Sequence, residues 1–587
     1  MACTVHRLLN VLVLLATMVI SGGIKQRMQK LGKQQPTSQL KGEPAKWLRD
    51  QYVNAKMSAT AFEEASRCIG TVDEEVKAWA PSEKRKEKGG RHSMQQVHRK
   101  LKPYSDKPEL YAAKAQMWDA RKNVAVQDFL YFILPMEIME RLAAKEDVDH
   151  YCNVDDKPEI GNQLDGWCER VGTIRVPSLG GLAIWGDMAP YNTKESICLL
   201  TWTLISGLHR KRYWLTCFSK RQMCACGCLG RHTFAAIWEV VAWCLESLMA
   251  AVFPAARHDG VPWALSTYVG DKARSLRKKA QLPMSAGLLQ FRGDWAWIKQ
   301  VVALTGWKDG PKSKCCWKCD ANRTTGRDAS TTAPWRGTHI SHREYLQFVF
   351  ATQGYFCPIF MFVGFTLAGV IADFMHCSCL GVVPAMLGNV MWELYVQFGS
   401  SPEALASLVD LIALASRQLG IEPPVRFLTA LMLRVDSKAP KLKLKAAQGR
   451  YMVDVVHFIL TNLVLPATPY QHTRSQCLTA LWGIYKEMKD WDATRSRHIV
   501  AASARRHLIL YNALNVAVGD EKRWRWYPKH HIFLEVCEEQ SSSFGNIAES
   551  WSYSEESEVG VAATLAETCH NRTVHHMAME KYALKSM

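Results

Sequence analysis

Two short apolar runs in this 587-residue chain end on the same dipeptide, Gly-Asp, and that repeated ending constrains the fold more than any other feature. Residues 181–185 read Gly-Leu-Ala-Ile-Trp and lead into Gly186-Asp187. Residues 287–291 read Gly-Leu-Leu-Gln-Phe and lead, after Arg292, into Gly293-Asp294. Short apolar runs bounded by turn-forming residues are the pattern of buried strands. Acids at such strand ends emerge at one edge of an α/β sheet, where that kind of sheet presents its chemistry. A glycine before each acid is expected to let the backbone turn sharply and expose the carboxylate.

The segments between and beyond these runs follow an order. Residues 197–205 and 212–218 are two further strand-like runs. Residues 233–253 carry Phe234, Ile237, Val240, Val241, Cys244, Leu245, Leu248 and Val252 at helical spacing until Pro254 stops them. Residues 295–304 also read as helical. Three strands, a helix, a fourth strand and a second helix, with aspartates ending strands one and four, is the order of a ribonuclease-H-like core. Residues 356–372 are apolar but interrupted by Pro358, Gly364 and Gly369, which predicts a buried strand pair rather than a membrane helix. Helical periodicity then dominates 380–520, in the segments 386–394, 404–419, 455–463 and 478–488. The expected class is α/β: a mixed-sheet core interrupted by a large all-helical insertion. The domains run as a leader at 1–23, a basic and partly disordered arm at 24–110, a helical region at 111–174, the first part of the core at 175–379, the insertion at 380–520, and core completion with a C-terminal helix at 521–587.

Composition narrows the partner. A formal net charge of +18 favours a polyanion, nucleic acid before an anionic membrane. The 21 Trp supply large buried cores and surfaces on which bases stack. The 19 Cys are odd in number and scattered, unlike the disulfide framework of a small secreted domain. Cys224-x-Cys226-x-Cys228, Cys315-Cys316-x-x-Cys319 and Cys377-x-Cys379 read instead as thiols of a reducing compartment, some of them metal ligands. Against this stands the apolar run 8–20, which follows His6 and Arg7 and precedes Ser21-Gly22-Gly23. That is signal-peptide geometry, too short for a comfortable membrane span, and it keeps the secretory pathway as an alternative to the nucleus.

The chemistry-bearing residues fall into three groups. Cutting a phosphodiester with two divalent ions requires converging carboxylates, because Mg²⁺ and Mn²⁺ take hard oxygen ligands. Asp187 and Asp294 are the first two candidates. Cys316-Trp-Lys-Cys319 has zinc-ligand spacing and makes half a site; His376, of Asp373-Phe-Met-His376, is the expected nitrogen ligand, with Cys377 and Cys379 available to complete a tetrahedron. Phosphate contacts are expected from Lys438, Lys441, Lys443 and Lys445 in one loop, and from Lys522, Arg523, Arg525 and Lys529, which alternate with Trp524, Trp526 and Tyr527.

Taken in order, Gly-Asp187, Gly-Asp294-Trp, Gly306-Trp307, Cys316-x-x-Cys319 and Asp373-x-Met375-His376 before a helix resemble the transposases of CACTA elements and the related Plavaka and Kyakuja–Dileera–Zisupton groups. The resemblance spans residues 180–565. It implies a DDE triad on a ribonuclease-H-like fold, metal-dependent DNA strand cleavage and transfer, a homodimer on DNA, and no small-molecule substrate. The register of Trp551-Ser-Tyr553-Ser-Glu555-Glu556 in that pattern selects Glu556 as the third acid, with Glu555 and Glu558 as adjacent alternatives and Glu393 as the runner-up. It implies that Asp187, Asp294 and Glu556 hold Mg²⁺ or Mn²⁺. A non-catalytic nucleic-acid-binding derivative, or a secreted or membrane-anchored protein, are the alternatives.

Overall fold

The computed structural model describes residues 43–57, the positions 62, 63, 65, 66, 97 and 101, and residues 108–586 apart from 209–210, 269, 303–313, 354–356, 435–437, 521 and 571–572. The apolar leader, most of the basic arm, and Gly306 and Trp307 lie outside the described residues.

Among the described residues the strands form one seven-stranded sheet in the order β1-β2-β5-β4-β3-β6-β7. They are β1 (Tyr111–Asp119), β2 (Val124–Phe132), β3 (Leu179–Pro190), β4 (Ser196–Leu204), β5 (Tyr213–Ser219), β6 (Ser285–Gly293) and β7 (Val370–Ala372). Neighbours from β1 through to β3 are antiparallel, and β3, β6 and β7 are parallel. Strand β6 is buried along its whole length, as a central parallel strand covered on both faces must be.

Helices of eight or more residues are numbered here. They begin with α1 (Glu43–Val53), α2 (Pro135–Ala143), α3 (Pro158–Val171), α4 (Arg231–Met249), α5 (Trp295–Val302) and α6 (His342–Gln353). Alternation along the parallel strands divides the core between them. Ile184, Phe291 and Val370 pair across β3, β6 and β7 and join the main core, to which α4 contributes Phe234, Ile237, Trp238 and Val241. Ala183, Leu289 and Ile371 lie in a second cluster with Ile160, Leu164 and Trp167 of α3. Gly172, in the left-handed conformation at φ 71°, ends α3.

The insertion comprises α7 (Val383–Gln397), α8 (Pro402–Gln418), α9 (Ala446–Phe458), α10 (Pro469–Lys489) and α11 (Ser496–Val518). Its starts are written in the sequence. Ser401 caps α8 through Ala404 N–H, and Thr468 caps α10 through Gln471 N–H, each just before a proline in the first turn. The chain then returns to the sheet with α12 (Pro528–Glu535), α13 (Tyr553–Glu567) and α14 (Val574–Ser586). Helix α13 packs on β3 and β4, and α14 on β5 and β2.

Two expectations are corrected. Residues 111–132, expected to be helical, form the β1–β2 hairpin that extends the sheet past β5. Residues 357–372, the described part of the expected strand pair, hold only the short strand β7, preceded by single 3₁₀ turns at Pro358–Met361 and Leu367–Gly369, because the proline and glycines break any longer pairing. The helical run Met375–Gln397 is long and apolar enough to cross a membrane, and 78% of its most apolar stretch is buried inside the fold.

Candidate active site and metal centre

Register brings the acids together. Gly186 on β3 pairs with Gly293 on β6, and Gly293 with Ala372 on β7. The residues that follow, Asp187, Asp294 and Asp373, therefore stand side by side where the parallel pairing stops; β3 itself runs on through Asp187 to Pro190, paired with β4, so Asp187 does not end its strand as expected. The glycines serve a different purpose from the expected sharp turn. Neither has a positive φ. The indole of Trp297, in α5, lies across both, and a Cβ on either would fall inside its ring. Trp297 in turn meets Phe234 of α4 edge-on, at 5.6 Å between ring centroids.

Each aspartate has its own partners. Asp187 Oδ1 accepts the Met188 N–H at 2.6 Å. Burial, and then the neighbouring Asp294 and Glu556, push its carboxyl up to about 8 despite the opposing pull of His376. Asp294 Oδ1 accepts the Trp297 N–H at 2.6 Å, which caps the first turn of α5. Asp373 is fully enclosed and saturated. It accepts the N–H groups of Met375 at 3.0 Å, His376 at 3.1 Å and Ser552 at 3.0 Å, the Ser552 hydroxyl at 2.6 Å, and His376 Nδ1. It works as a knot that ties the end of β7 to Ser552, the residue before α13.

The other face of His376 points at Glu556, with Nε2 3.6 Å from Oε1. His376 sits in a π-helical stretch, Met375–Val382, a wide turn of the kind that recurs at functional sites. Burial opposes its charge, but Asp373 and then Glu556 raise its pKa above the ordinary value. Burial raises the Glu556 carboxyl, which His376 and a hydrogen bond with Asp187 pull back only in part. Oxygen Oε1 of Glu556 is buried without a hydrogen-bond partner.

The alternative acids are engaged elsewhere. Glu555 is buried and accepts from Arg212 Nε at 3.0 Å, with Arg292 at 3.6 Å. Glu558 accepts the Trp214 indole N–H at 2.9 Å. Glu393 joins Tyr470 at 2.6 Å, Arg474 at 2.8 Å, Trp524 Nε1 at 3.0 Å and Arg523. Of these candidates, Glu556 is the one that faces the aspartates. A cleft of about 930 Å³ opens beside them, lined by Asp294, Asp373, His376, Trp295, Trp317 and Lys529 among others.

The Cys316–Cys319 pair finds partners that differ from those expected. His376 belongs to the carboxylate group, and Cys379 contacts the Tyr485 hydroxyl at 3.2 Å. Cys316 and Cys319 instead meet His531 and Glu535, one turn apart on α12, and the four buried side chains offer ligand atoms all within 4.8 Å of one another. Cys319 Sγ lies 3.3 Å from His531 Nε2, and the Lys318 N–H donates to Cys316 Sγ at 3.3 Å. Two thiols, an imidazole and a carboxylate at this spacing can hold a metal such as zinc. Sequence reading missed His531 and Glu535. Their signal is the i, i+4 spacing in His-x-x-x-Glu, which puts both on one helix face.

The two basic segments meet in one cleft of about 1130 Å³, lined by Lys438, Lys441, Lys443, Lys445, Lys522, Arg525 and Tyr527. Lys441, Lys443 and Lys445 are exposed while Leu442 is buried and Leu444 half-buried, the alternation of an extended segment with one wet side. Arg523 turns inward to Glu393. Lys529 donates to the His376 carbonyl at 2.8 Å and so belongs to the acidic site's wall. Trp524 and Trp526 are buried and offer no stacking face. No protein-family model and no curated protein matches this chain.

Proposed function

We propose that this protein is a DDE-type DNA strand-cleaving and strand-transferring protein, transposase-like, on a ribonuclease-H-like core. The observation that carries the reading is the convergence of Asp187 and Asp294, delivered side by side by the Gly186–Gly293 pairing, with Glu556 reaching them from α13. The strand order supports it: the antiparallel run β5-β4-β3 continues into parallel β6 and β7, with Asp187, Asp294 and Asp373 next to the last parallel pairs.

The donor set suits hard divalent cations such as Mg²⁺ or Mn²⁺. Asp187 is held from ionising by burial and by its acidic neighbours, and Glu556 Oε1 has no hydrogen-bond partner, both of which a cation would relieve. When bound, such ions activate water and stabilise the leaving 3′-oxygen. The residues of the chain do the positioning. Asp373 and Ser552 fix the start of α13 and hence Glu556. His376 holds Glu556 toward Asp187, and its imidazole, drawn toward the charged form, offsets the crowding of carboxylates. The lysine-lined cleft, whose Tyr527 stands two residues before Lys529 of the acidic cleft, would carry the phosphate backbone.

The test is incubation of the purified chain with duplex DNA and Mg²⁺ or Mn²⁺. Nicking that Asp187→Asn abolishes is the expected result. Salt-sensitive DNA binding without cleavage in either metal, unchanged by Asp187→Asn and Asp294→Asn, would instead make the protein a non-catalytic binder.

A further inference from the structure

The loop between β5 and α4 gathers a second set of metal-ligand side chains, separate from the Cys316 group. Cys224, Cys226, Cys228 and His232 offer ligand atoms that all lie within 4.8 Å of one another. Cys224 Sγ is 3.4 Å from Cys226 Sγ and 3.6 Å from His232 Nδ1, and Cys226 Sγ is 3.3 Å from His232 Nδ1. Bonds of about 2.3 Å to sulfur and about 2.0 Å to nitrogen would space tetrahedral zinc ligands about 3.5–3.8 Å apart. The separations in the loop are close to those edges and well beyond a disulfide bond of about 2 Å.

The backbone is shaped for this convergence. Gly227 and Gly230 take left-handed φ values of 95° and 86°, and Leu229 joins them at 55°. A branched aliphatic in that region is costly and persists only where surrounding contacts hold it. Three left-handed residues within four positions double the chain back, so that sulfurs two residues apart meet a histidine in the first turn of α4.

The same group is tied to the edge hairpin. Gln116 of β1 reaches Cys224 Sγ at 3.4 Å and His232 Nδ1 at 3.1 Å through its amide nitrogen. Its carbonyl accepts the Thr233 hydroxyl at 2.7 Å, and that hydroxyl accepts the Cys224 N–H at 3.0 Å. Met117 pairs with Met223 as an isolated bridge. The loop forms one wall of the acidic cleft through Arg221, Met223, Cys224, Gly227, Gly230 and Arg231.

We propose that Cys224, Cys226, Cys228 and His232 form a structural Cys₃His zinc site that clamps this wall of the cleft to the β1–β2 hairpin. It stands independently of the DNA-cleavage reading, because it rests on a different set of residues and asks nothing of the acids. Cys226 is exposed, so an ion can enter from solvent and its replacement disturbs no core.

The experiment measures zinc per chain on full-length protein purified under reducing conditions, by plasma mass spectrometry. It also records the visible spectrum after exchange into Co²⁺. Cys226→Ser with Cys228→Ser should lose one metal equivalent while Cys316→Ser with Cys319→Ser loses a different one. The cobalt protein should show thiolate charge-transfer and tetrahedral ligand-field bands that fall in the Cys226/Cys228 variant. His232→Cys should keep the equivalent and shift the bands. Unchanged zinc content in the Cys226/Cys228 variant, or a cobalt spectrum identical to that of wild type, would overturn the proposal.

Discussion

Trp297 lies flat across Gly186, and the same indole covers Gly293 on the next strand. Its backbone N–H also donates to Asp294 Oδ1, which caps α5. One residue thus reads the absence of two side chains and orients one acid. Gly186→Ala would put a methyl group inside the ring and force α5 outward. Overpacking of this kind costs about 1–3 kcal/mol. The expected outcome is a fall in melting temperature together with a loss of metal-dependent cleavage, because Asp294 loses the Trp297 N–H that orients it. Gly337→Ala, where a Cβ would meet nothing, should change neither.

Adjacent glutamates on α13 should behave oppositely. Glu556→Gln removes a carboxylate whose Oε1 has no hydrogen-bond partner, so cleavage should vanish while stability holds or rises. Glu555→Ala removes the buried carboxylate that faces Arg212 and the buried Arg292, and breaking a buried pair from one side costs about 3–5 kcal/mol. Thermal unfolding and nicking assays on the two variants separate the roles. A stability loss in Glu556→Gln equal to that in Glu555→Ala would contradict the assignment.

How much of this was legible in the sequence follows from the range of the interactions. The strands that carry Gly186 and Gly293 show in local apolar runs, since burial on both faces leaves no polar alternation to confuse them, but the continuation of β3 past Asp187 to Pro190 does not. The reason for their glycines does not, because Trp297 reaches Gly186 only after folding. The β1–β2 hairpin was misread as helix: Tyr-Ala-Ala-Lys-Ala has strong helix formers, and strand pairing overrides that preference. His531 stands 212 residues after Cys319, so the spacing of Cys-x-x-Cys carried no hint of its partner. Glu555, Glu556 and Glu558 differ only in which sheet residues they meet, and no periodicity distinguishes them.

Metal removal should loosen the junction between the two parts of the core that flank the insertion. Cys316 and Cys319 follow α5, whereas His531 and Glu535 ride on α12, and Trp335 packs edge-on against His531 at 4.5 Å. A metal there cross-links segments far apart in sequence, and binding energy to the folded state appears as stability. Chelation of the reduced protein should lower the melting temperature, and added Zn²⁺ should restore it. Cys316→Ser with Cys319→Ser should remove most of that response.

The basic cleft should set salt sensitivity. Lys441, Lys443 and Lys445 line it on an extended segment whose alternate leucines point inward. Each lysine that neutralises a phosphate contributes about 0.9 to the slope of log affinity against log salt. Replacing all three with alanine should flatten the slope by roughly 2–3 for duplex DNA of any sequence. Arg523→Ala should lower stability instead, since Arg523 serves the Glu393 hub. Equal flattening by both would place Arg523 on the DNA after all.

Acid should unfold the protein through its buried histidines. His507, on α11, hydrogen-bonds the Cys477 carbonyl of α10 at 2.9 Å, and burial pushes its pKa down to about 4. His575, against Gln222 at 2.7 Å, is pushed down to about 4 by the same cause. In the unfolded chain each ring takes a proton near the ordinary value of about 6.5. Between those limits the unfolded state binds more protons than the folded one, so stability falls as pH falls. Above about 6.5 the contribution is complete, and below about 4 the loss levels off because the folded rings protonate too. A shift of this size is worth on the order of 3 kcal/mol per histidine. Denaturant unfolding followed from pH 7.5 to 4.5 should show this decline. His507→Gln should be less stable at neutral pH yet show a shallower decline, and an unchanged slope in that variant would remove His507 from the account.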